Sequence, residues 1–141
     1  MKNITKMSIF KSANEVFEAF VDPAKIGHFW FSSSSERWKQ GKTITLRYEE
    51  YDYEGQIRIL QVVPNQKIVF DDETNHIVTI ELIEQAPSHT IIEITEEGFQ
   101  DNDPDLLEQL IDNKEGWVYM MTCLKAYLEF GITQLRSALV K

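Results

Sequence analysis

The sequence has little of what several protein classes require. One cysteine, Cys123, cannot form an internal disulfide, which favours a reducing, cytoplasmic location. Six glycines and four prolines are spread without a Pro/Gly-rich linker, so we expect one domain over residues 1–141. No run approaches the roughly 18 apolar residues of a membrane span, and no apolar segment follows the charged N-terminus. We therefore expect neither membrane insertion nor a secretory signal.

Basic charge is scarce as well. Fourteen Lys and Arg residues stand against 23 Asp and Glu residues, which gives a formal net charge of −9 and an isoelectric point near 4.8. An electrostatic field of this sign repels phosphate backbones and anionic lipid. We therefore expect no nucleic-acid partner.

Apolar and aromatic residues, by contrast, are plentiful enough for a folded core. Apolar residues make up 43% of the chain and include eight Phe, five Tyr and three Trp. A chain of this length buries about 68–70% of the surface that it exposes when unfolded, so it needs no disulfide or metal for stability.

The N-terminal part predicts a strand and two short helices. Loose alternation predicts a strand over residues 4–10. Ser12 and Glu15 have the spacing of a capping box at the start of an amphipathic helix. Asp22-Pro23 then supplies an N-cap followed by proline at the first helical position, which predicts a second brief helix with Trp30 on its apolar side.

The rest of the chain changes from strand to helix periodicity. Alternating residues predict about six strands between 43 and 97, joined by short polar turns, as in an antiparallel meander. Asp103-Pro104 predicts the start of a long helix, Gly131 its end, and residues 132–139 a further turn or two. One helical stripe is apolar: Trp117, Met121, Leu124 and Leu128. The order of elements predicts an α+β fold with helices on one face of an antiparallel sheet.

Several strings, in this order along nearly the whole chain, resemble one protein family. They are residues 12–20 (SANEVFEAF), 22–30 from Asp-Pro to His-Phe-Trp, 55–57 (GQI), 97–99 (EGF), 116–117 (GW) and 124–129 (LKAYLE). The set resembles the branch of the START/SRPBCC superfamily that is homologous to the C-terminal domain of activators of the heat-shock protein 90 ATPase. The resemblance implies a helix-grip (Bet v-like) fold, in which a curved antiparallel sheet of about six to seven strands wraps a long C-terminal helix around an apolar cavity.

Two positions depart from the pattern of that family. Asp72 stands where the family often has an aromatic residue, and Glu96 stands where it often has a histidine. Either change is expected to place an acidic group at the mouth of the cavity that the resemblance implies.

Residues with reactive side chains form no recognisable site in the sequence. No histidine is followed within four residues by a second His, a Cys or a pair of carboxylates, so we expect no metal and no cofactor. His76 and His89 are expected to be solvent-exposed turn residues, while His28 is a candidate for a pocket rim. Cys123 has no neighbour that would stabilise a thiolate, so we expect a buried small apolar side chain. The acidic run at residues 49–54 fits either paired-carboxylate chemistry or, more commonly, a solvated hairpin end.

The aromatic and methionine residues lead to a cavity hypothesis. A mostly apolar pocket with a few polar groups is the usual form of a small-molecule site. We expect one apolar space with Glu96 near its mouth. Its predicted lining residues are Trp30, Tyr48, Phe70, Trp117 and Met121.

Three functional hypotheses remain open at this stage. The first is a non-catalytic module that binds an apolar small molecule. The second is a chaperone cofactor or stress-response protein that acts by protein–protein contact, as the resemblance implies. The third is an enzyme of the cyclase or hydrolase type, also found in this superfamily, that uses Glu96 with Asp72.

Overall fold

The computed structural model describes residues 1–140, and its main feature is a seven-stranded sheet in the order β1-β7-β6-β5-β4-β3-β2. All neighbouring strands are antiparallel. The strands are β1 (Lys2–Ile9), β2 (Ser33–Ser34), β3 (Thr43–Tyr48), β4 (Tyr53–Val63), β5 (Lys67–Asp71), β6 (Ile77–Ala86) and β7 (His89–Glu97). The helices are α1 (Ala13–Val21) and α2 (Leu106–Phe130). The predicted α+β helix-grip fold is confirmed.

Strand periodicity divides the sheet into an inner and an outer face. On β7, Ile92, Ile94 and Glu96 are buried, whereas the intervening residues reach solvent to some degree. This alternation follows from the pleat of the strand, which points successive side chains to opposite faces. Strand β4, the longest of the sheet, carries a register shift between Ile59 and Gln61.

The first helix begins where its capping box predicts. The Ser12 hydroxyl oxygen accepts a hydrogen bond from the backbone N–H of Glu15 at 3.1 Å. Asp22, however, is the C-terminal cap of α1 and not the start of another α-helix. The predicted second helix is a single 3-10 turn, Ile26–His28. The serine run at residues 32–35 contains the short edge strand β2, which pairs with β3.

The long helix begins two residues after Asp103-Pro104 and ends at Gly131, whose φ of 67° lies in the left-handed region. Glycine adopts this conformation without a Cβ clash, and the chain leaves the helix axis there. The helix predicted within residues 132–139 is therefore wrong, because this segment is not helical and instead contacts the region around Trp30 and Ser32 through Arg136. No helix of residues 1–140 is long and apolar enough to cross a membrane.

Candidate functional site

A cavity of about 620 Å³ lies beside the N-terminal half of α2. The cavity lies among the 3-10 turn region, the end of β3, the N-terminal half of α2 and the C-terminal segment. Its lining is mostly aromatic or apolar: Phe29, Trp30, Tyr48, Tyr51, Gly116, Trp117, Tyr119, Met120 and Leu139, with Asp112, Asn113 and Arg136 as polar members. We call this space the larger cavity.

A smaller cavity of about 150 Å³ adjoins it on the sheet side. Trp30 and Trp117 line both cavities, and their rings meet edge to face with centroids 5.5 Å apart. Phe70, Asp72 and Glu96 line only the smaller one. The two tryptophans thus stand between the two cavities.

The residues predicted from sequence to line one space are distributed over these two cavities. Tyr48 lines the larger cavity, and Phe70 and Glu96 line the smaller one, with Trp30 and Trp117 between them. Met121 is fully buried in the core, and its neighbour Met120 lines the larger cavity instead. A shift of one residue on a helix rotates the side chain by about 100°, which is why the stripe alone did not separate the two.

Glu96 lies inside the protein and not at a solvent-exposed mouth. Its side chain is only 8% exposed, and both carboxylate oxygens are hydrogen-bonded. The indole N–H of Trp117 donates to Oε1 at 3.0 Å, and the Nδ1 of His76 shares a hydrogen bond with Oε2 at 2.7 Å. This network joins β7 to α2 and to the turn between β5 and β6.

His76 is not the solvent-exposed turn residue that the sequence predicts. Its side chain is 19% exposed, and its ring packs against Phe99 with centroids 4.5 Å apart. A Cβ on Gly98, where φ is +119°, would come within 2.9 Å of the imidazole Cδ2. Glycine at this position therefore makes room for the ring. His89 is also half-buried, and its Nε2 lies 2.7 Å from the Ser8 hydroxyl.

Asp72 holds the β5–β6 turn together and brings a third polar side chain to the same place. Its Oδ1 accepts hydrogen bonds from the Thr74 N–H at 2.8 Å, the Thr74 hydroxyl at 2.6 Å and the His76 N–H at 3.2 Å. One ligand-type atom from each of Asp72, His76 and Glu96 lies within 4.8 Å of the others. The sequence pointed to Asp72 and Glu96 through their departure from the family pattern, but it did not point to His76, because a four-residue spacing from Asp72 defines no face in an irregular turn.

The C-terminal segment forms one wall of the larger cavity through Arg136. The guanidinium donates to the Trp30 carbonyl oxygen at 2.6 Å and to the Ser32 hydroxyl at 2.9 Å, and it forms an ion pair with Glu50. It also lies 4.8 Å from the ring centroid of Tyr48. Sequence analysis missed Arg136, because its partners are 86 to 106 residues away in the chain.

These contacts determine the local electrostatics. The hydrogen bond from Arg136 lowers the pKa of Glu50 from 4.5 to about 2. Burial raises the pKa of Tyr48 from 10.0 to about 12, so its hydroxyl stays protonated and donates to the Arg136 carbonyl oxygen at 2.7 Å. The acidic run at residues 49–54 is a hairpin end whose carboxylates Glu50 and Glu54 pair with arginines.

Cys123 is the buried small side chain that the sequence predicts. It is 2% exposed, and burial raises the pKa of its thiol, which disfavours the reactive thiolate. His28, a candidate for the pocket rim, is exposed, and its ring lies 4.9 Å from that of Tyr127.

The family whose description is activator of Hsp90 ATPase homolog 1-like protein matches residues 11–129. The fold, the long C-terminal helix and this match agree, so the chain belongs to that family, within the START/SRPBCC superfamily. No curated protein matches the sequence.

Solved structures share the fold over most of the chain. A crystal structure of a protein from Staphylococcus saprophyticus is 54% identical, with a TM-score of 0.85, and the match covers 94% of this chain and 95% of that one. The Aha1 dimer from Colwellia psychrerythraea is 15% identical, with a TM-score of 0.78 and coverage of 93% and 98%. DynU16, a putative protein of the dynemicin biosynthetic locus, is 18% identical with a TM-score of 0.80, and the match covers 94% of this chain and 48% of that one.

Proposed function

We propose that this protein is a non-catalytic binding module that encloses an apolar small molecule in the larger cavity. The observation that carries the proposal is the cavity itself, which has a volume of about 620 Å³ and mostly aromatic or apolar walls. Ligand sites are typically clefts of roughly 300–1,000 Å³ with apolar walls and a few polar groups.

The walls favour a flat or aromatic ligand without a negative charge. Trp30, Trp117 and Phe29 present rings, and Met120 presents a flexible thioether that adapts to different shapes. The one cationic wall residue, Arg136, already pairs with Glu50, and the chain carries a net charge of −9. An anionic ligand therefore gains little from the site.

Gly116 offers a direct way to fill the cavity. It lies on α2 in the lining of the larger cavity, and a Cβ built there meets no atom within 4 Å. Gly116→Phe therefore adds a ring at the cavity wall without a clash at the Cβ. Thr122→Phe is the matched control, because Thr122 is an exposed residue of the same helix and is not part of either cavity lining.

The assay is titration with the neutral fluorescent probe N-phenyl-1-naphthylamine, followed by probe emission and tryptophan quenching. We expect saturable binding at one site per chain, at least tenfold weaker binding to Gly116→Phe, and unchanged binding to Thr122→Phe. Equal affinity for the wild type and Gly116→Phe would refute the proposal, as would binding that does not saturate. Native mass spectrometry of the purified protein then identifies any apolar molecule that it retains.

The two other hypotheses have weaker support. An enzyme that uses Glu96 with Asp72 gains from their position on the wall of the smaller cavity, but hydrogen bonds occupy both oxygens of Glu96, so it is not a free acid or base. A chaperone partner such as Hsp90 is supported by the description of the family alone. We therefore place ligand binding first.

A further inference from the structure

Three inward-pointing polar side chains meet at one end of the central strands. Phe70 of β5, Val78 of β6 and Glu96 of β7 occupy neighbouring register positions on the inner face. Asp72 and His76 lie two residues beyond Phe70 and two before Val78, in the turn that joins β5 to β6. Asp72 lines the smaller cavity there, and the Nδ1 of His76 faces Glu96. The sheet register, rather than any local motif, brings the three together.

We propose that Asp72, His76 and Glu96 form a binding site for one divalent transition-metal cation of the Zn²⁺ class. One oxygen or nitrogen from each residue lies within 4.8 Å of the others. Carboxylate oxygens and an imidazole nitrogen are ligands of Zn²⁺, at about 2.0–2.2 Å. This inference goes beyond the proposed ligand-binding function, because it concerns the smaller cavity and different side chains.

The His76–Glu96 pair needs only a small shift to accept the cation, and the ligand atom of Asp72, which lies within 4.8 Å of both, completes the site by moving closer. Two ligands of a tetrahedral Zn²⁺ are roughly 3.3 Å apart for metal–ligand distances near 2.0 Å. The Nδ1 of His76 and the Oε2 of Glu96 are 2.7 Å apart, with a proton between them. A cation that takes the place of this proton moves the two atoms apart by roughly 0.6 Å, and the imidazole then carries its proton on Nε2.

Surrounding donors already orient two of the ligands. The Trp117 indole N–H binds Oε1 of Glu96, which leaves Oε2 facing His76. The donors from Thr74 and the His76 backbone bind Oδ1 of Asp72, and within residues 1–140 no donor is bonded to Oδ2. Hydrogen bonds of this kind fix ligand orientation in metal sites and raise affinity.

Three protein ligands leave a fourth position on the cation. Asp72 and Glu96 line the smaller cavity, whose other walls include Trp30, Phe70 and Val78. The open position is therefore accessible to water or to a small polar ligand inside a largely apolar space. Three protein ligands with one open position are typical of zinc sites that bind and polarise a small molecule, whereas structural sites use four.

The alternative is that His76 and Glu96 form only a structural pair that ties the β5–β6 turn to β7. Metal titration separates the two interpretations. Protein dialysed against a chelator, then freed of it, is titrated with Co²⁺ and with Zn²⁺. Visible absorption reports Co²⁺ coordination, and calorimetry gives the Zn²⁺ stoichiometry and Kd.

We expect one equivalent of each cation, with an intense visible Co²⁺ spectrum that Zn²⁺ abolishes. Glu96→Gln and Asp72→Asn should each weaken Zn²⁺ binding at least tenfold. Asp72→Asn is the milder variant, because the amide keeps an oxygen that accepts from Thr74. His89→Asn is the matched control, a half-buried histidine that bonds Ser8 at another place in the fold.

Two results would overturn the proposal. One is the absence of saturable Co²⁺ or Zn²⁺ binding up to millimolar concentration in the folded wild type. The other is equal affinity of the wild type, Asp72→Asn and His89→Asn, which would indicate adventitious binding. Probe binding in the larger cavity is measured separately with the Gly116 variant, so either proposal can fail while the other stands.

Discussion

Trp117→Phe tests whether the buried carboxylate of Glu96 depends on the indole of α2. The phenyl ring retains much of the packing of Trp117, which is 8% exposed, but it removes the N–H that donates to Glu96 Oε1 at 3.0 Å. Hydrogen bonds to charged groups contribute about 1.5–3 kcal/mol, and Glu96 is too deeply buried for water to replace the donor easily. We expect the free energy of unfolding to fall by about 2–3 kcal/mol.

The matched control is Trp38→Phe. Trp38 is buried even more deeply, at 2% exposure, but its indole N–H donates to the neutral Ser34 hydroxyl at a longer distance, 3.3 Å. A neutral hydrogen bond contributes about 1 kcal/mol, so this variant should lose about half as much stability as Trp117→Phe or less. Urea denaturation followed by far-UV circular dichroism measures the free energy of unfolding of both variants. A chelator is present so that cation binding does not contribute.

A double-mutant cycle with Glu96→Leu isolates the interaction. In the Glu96→Leu background the indole N–H has no carboxylate to bind. Trp117→Phe should therefore lower the free energy of unfolding by an amount at least about 1 kcal/mol smaller than in the wild type. Additive effects within about 0.3–0.5 kcal/mol would show that the two side chains are not coupled. The same conclusion follows if Trp117→Phe loses no more stability than Trp38→Phe.

Three further predictions concern the helices and the C-terminal segment. Ser12→Ala should lower the free energy of unfolding by about 1 kcal/mol, because the Glu15 N–H loses its acceptor, and an unchanged thermal midpoint would contradict this. Gly116→Ala should raise stability by about 0.5–1 kcal/mol in urea denaturation, since the new methyl group meets no atom within 4 Å and alanine favours the helix; a loss of stability would show that the site is not open. The folded-state pKa of Glu50 is lowered to about 2 by Arg136, so the stability that this pair contributes is present above the ordinary pKa of 4.5 and is lost as the pH falls towards about 2. Glu50→Gln should weaken the dependence of the thermal midpoint on pH in that window and leave the dependence above pH 5 unchanged. A profile identical to that of the wild type would show that the Glu50–Arg136 pair does not cause the loss of stability at low pH.

Local patterns predicted most of the elements and several of their ends. Ser12 begins α1 and Gly131 ends α2 as expected, because capping depends on residues within one turn. The alternation around Ile94 correctly gives the buried face of β7, because the pleat has a period of two. The prediction of a second α-helix was wrong because Asp22, interpreted as an N-cap, is the C-terminal cap of α1.

The candidate sites were only partly visible in the sequence. The aromatic residues around Trp30 and Trp117 were expected to lie together, and their rings do meet at 5.5 Å. Their division into two cavities was not expected, and neither was the contribution of Arg136. The separation depends on how far α2 stands from the sheet, which is the sum of many packing contacts that no local pattern records.

Local patterns were enough to predict the order of most elements, the faces of the strands and the burial of Trp117. Each of these follows from periodicity and capping, which are properties of neighbouring residues. The contact of His76 with Glu96, 20 residues away, and that of Arg136 with Trp30, 106 residues away, arise only when the whole chain folds. Such contacts depend on strand register and on the path of the chain after Gly131, because partners that are distant in sequence are chosen by the packing of the whole fold.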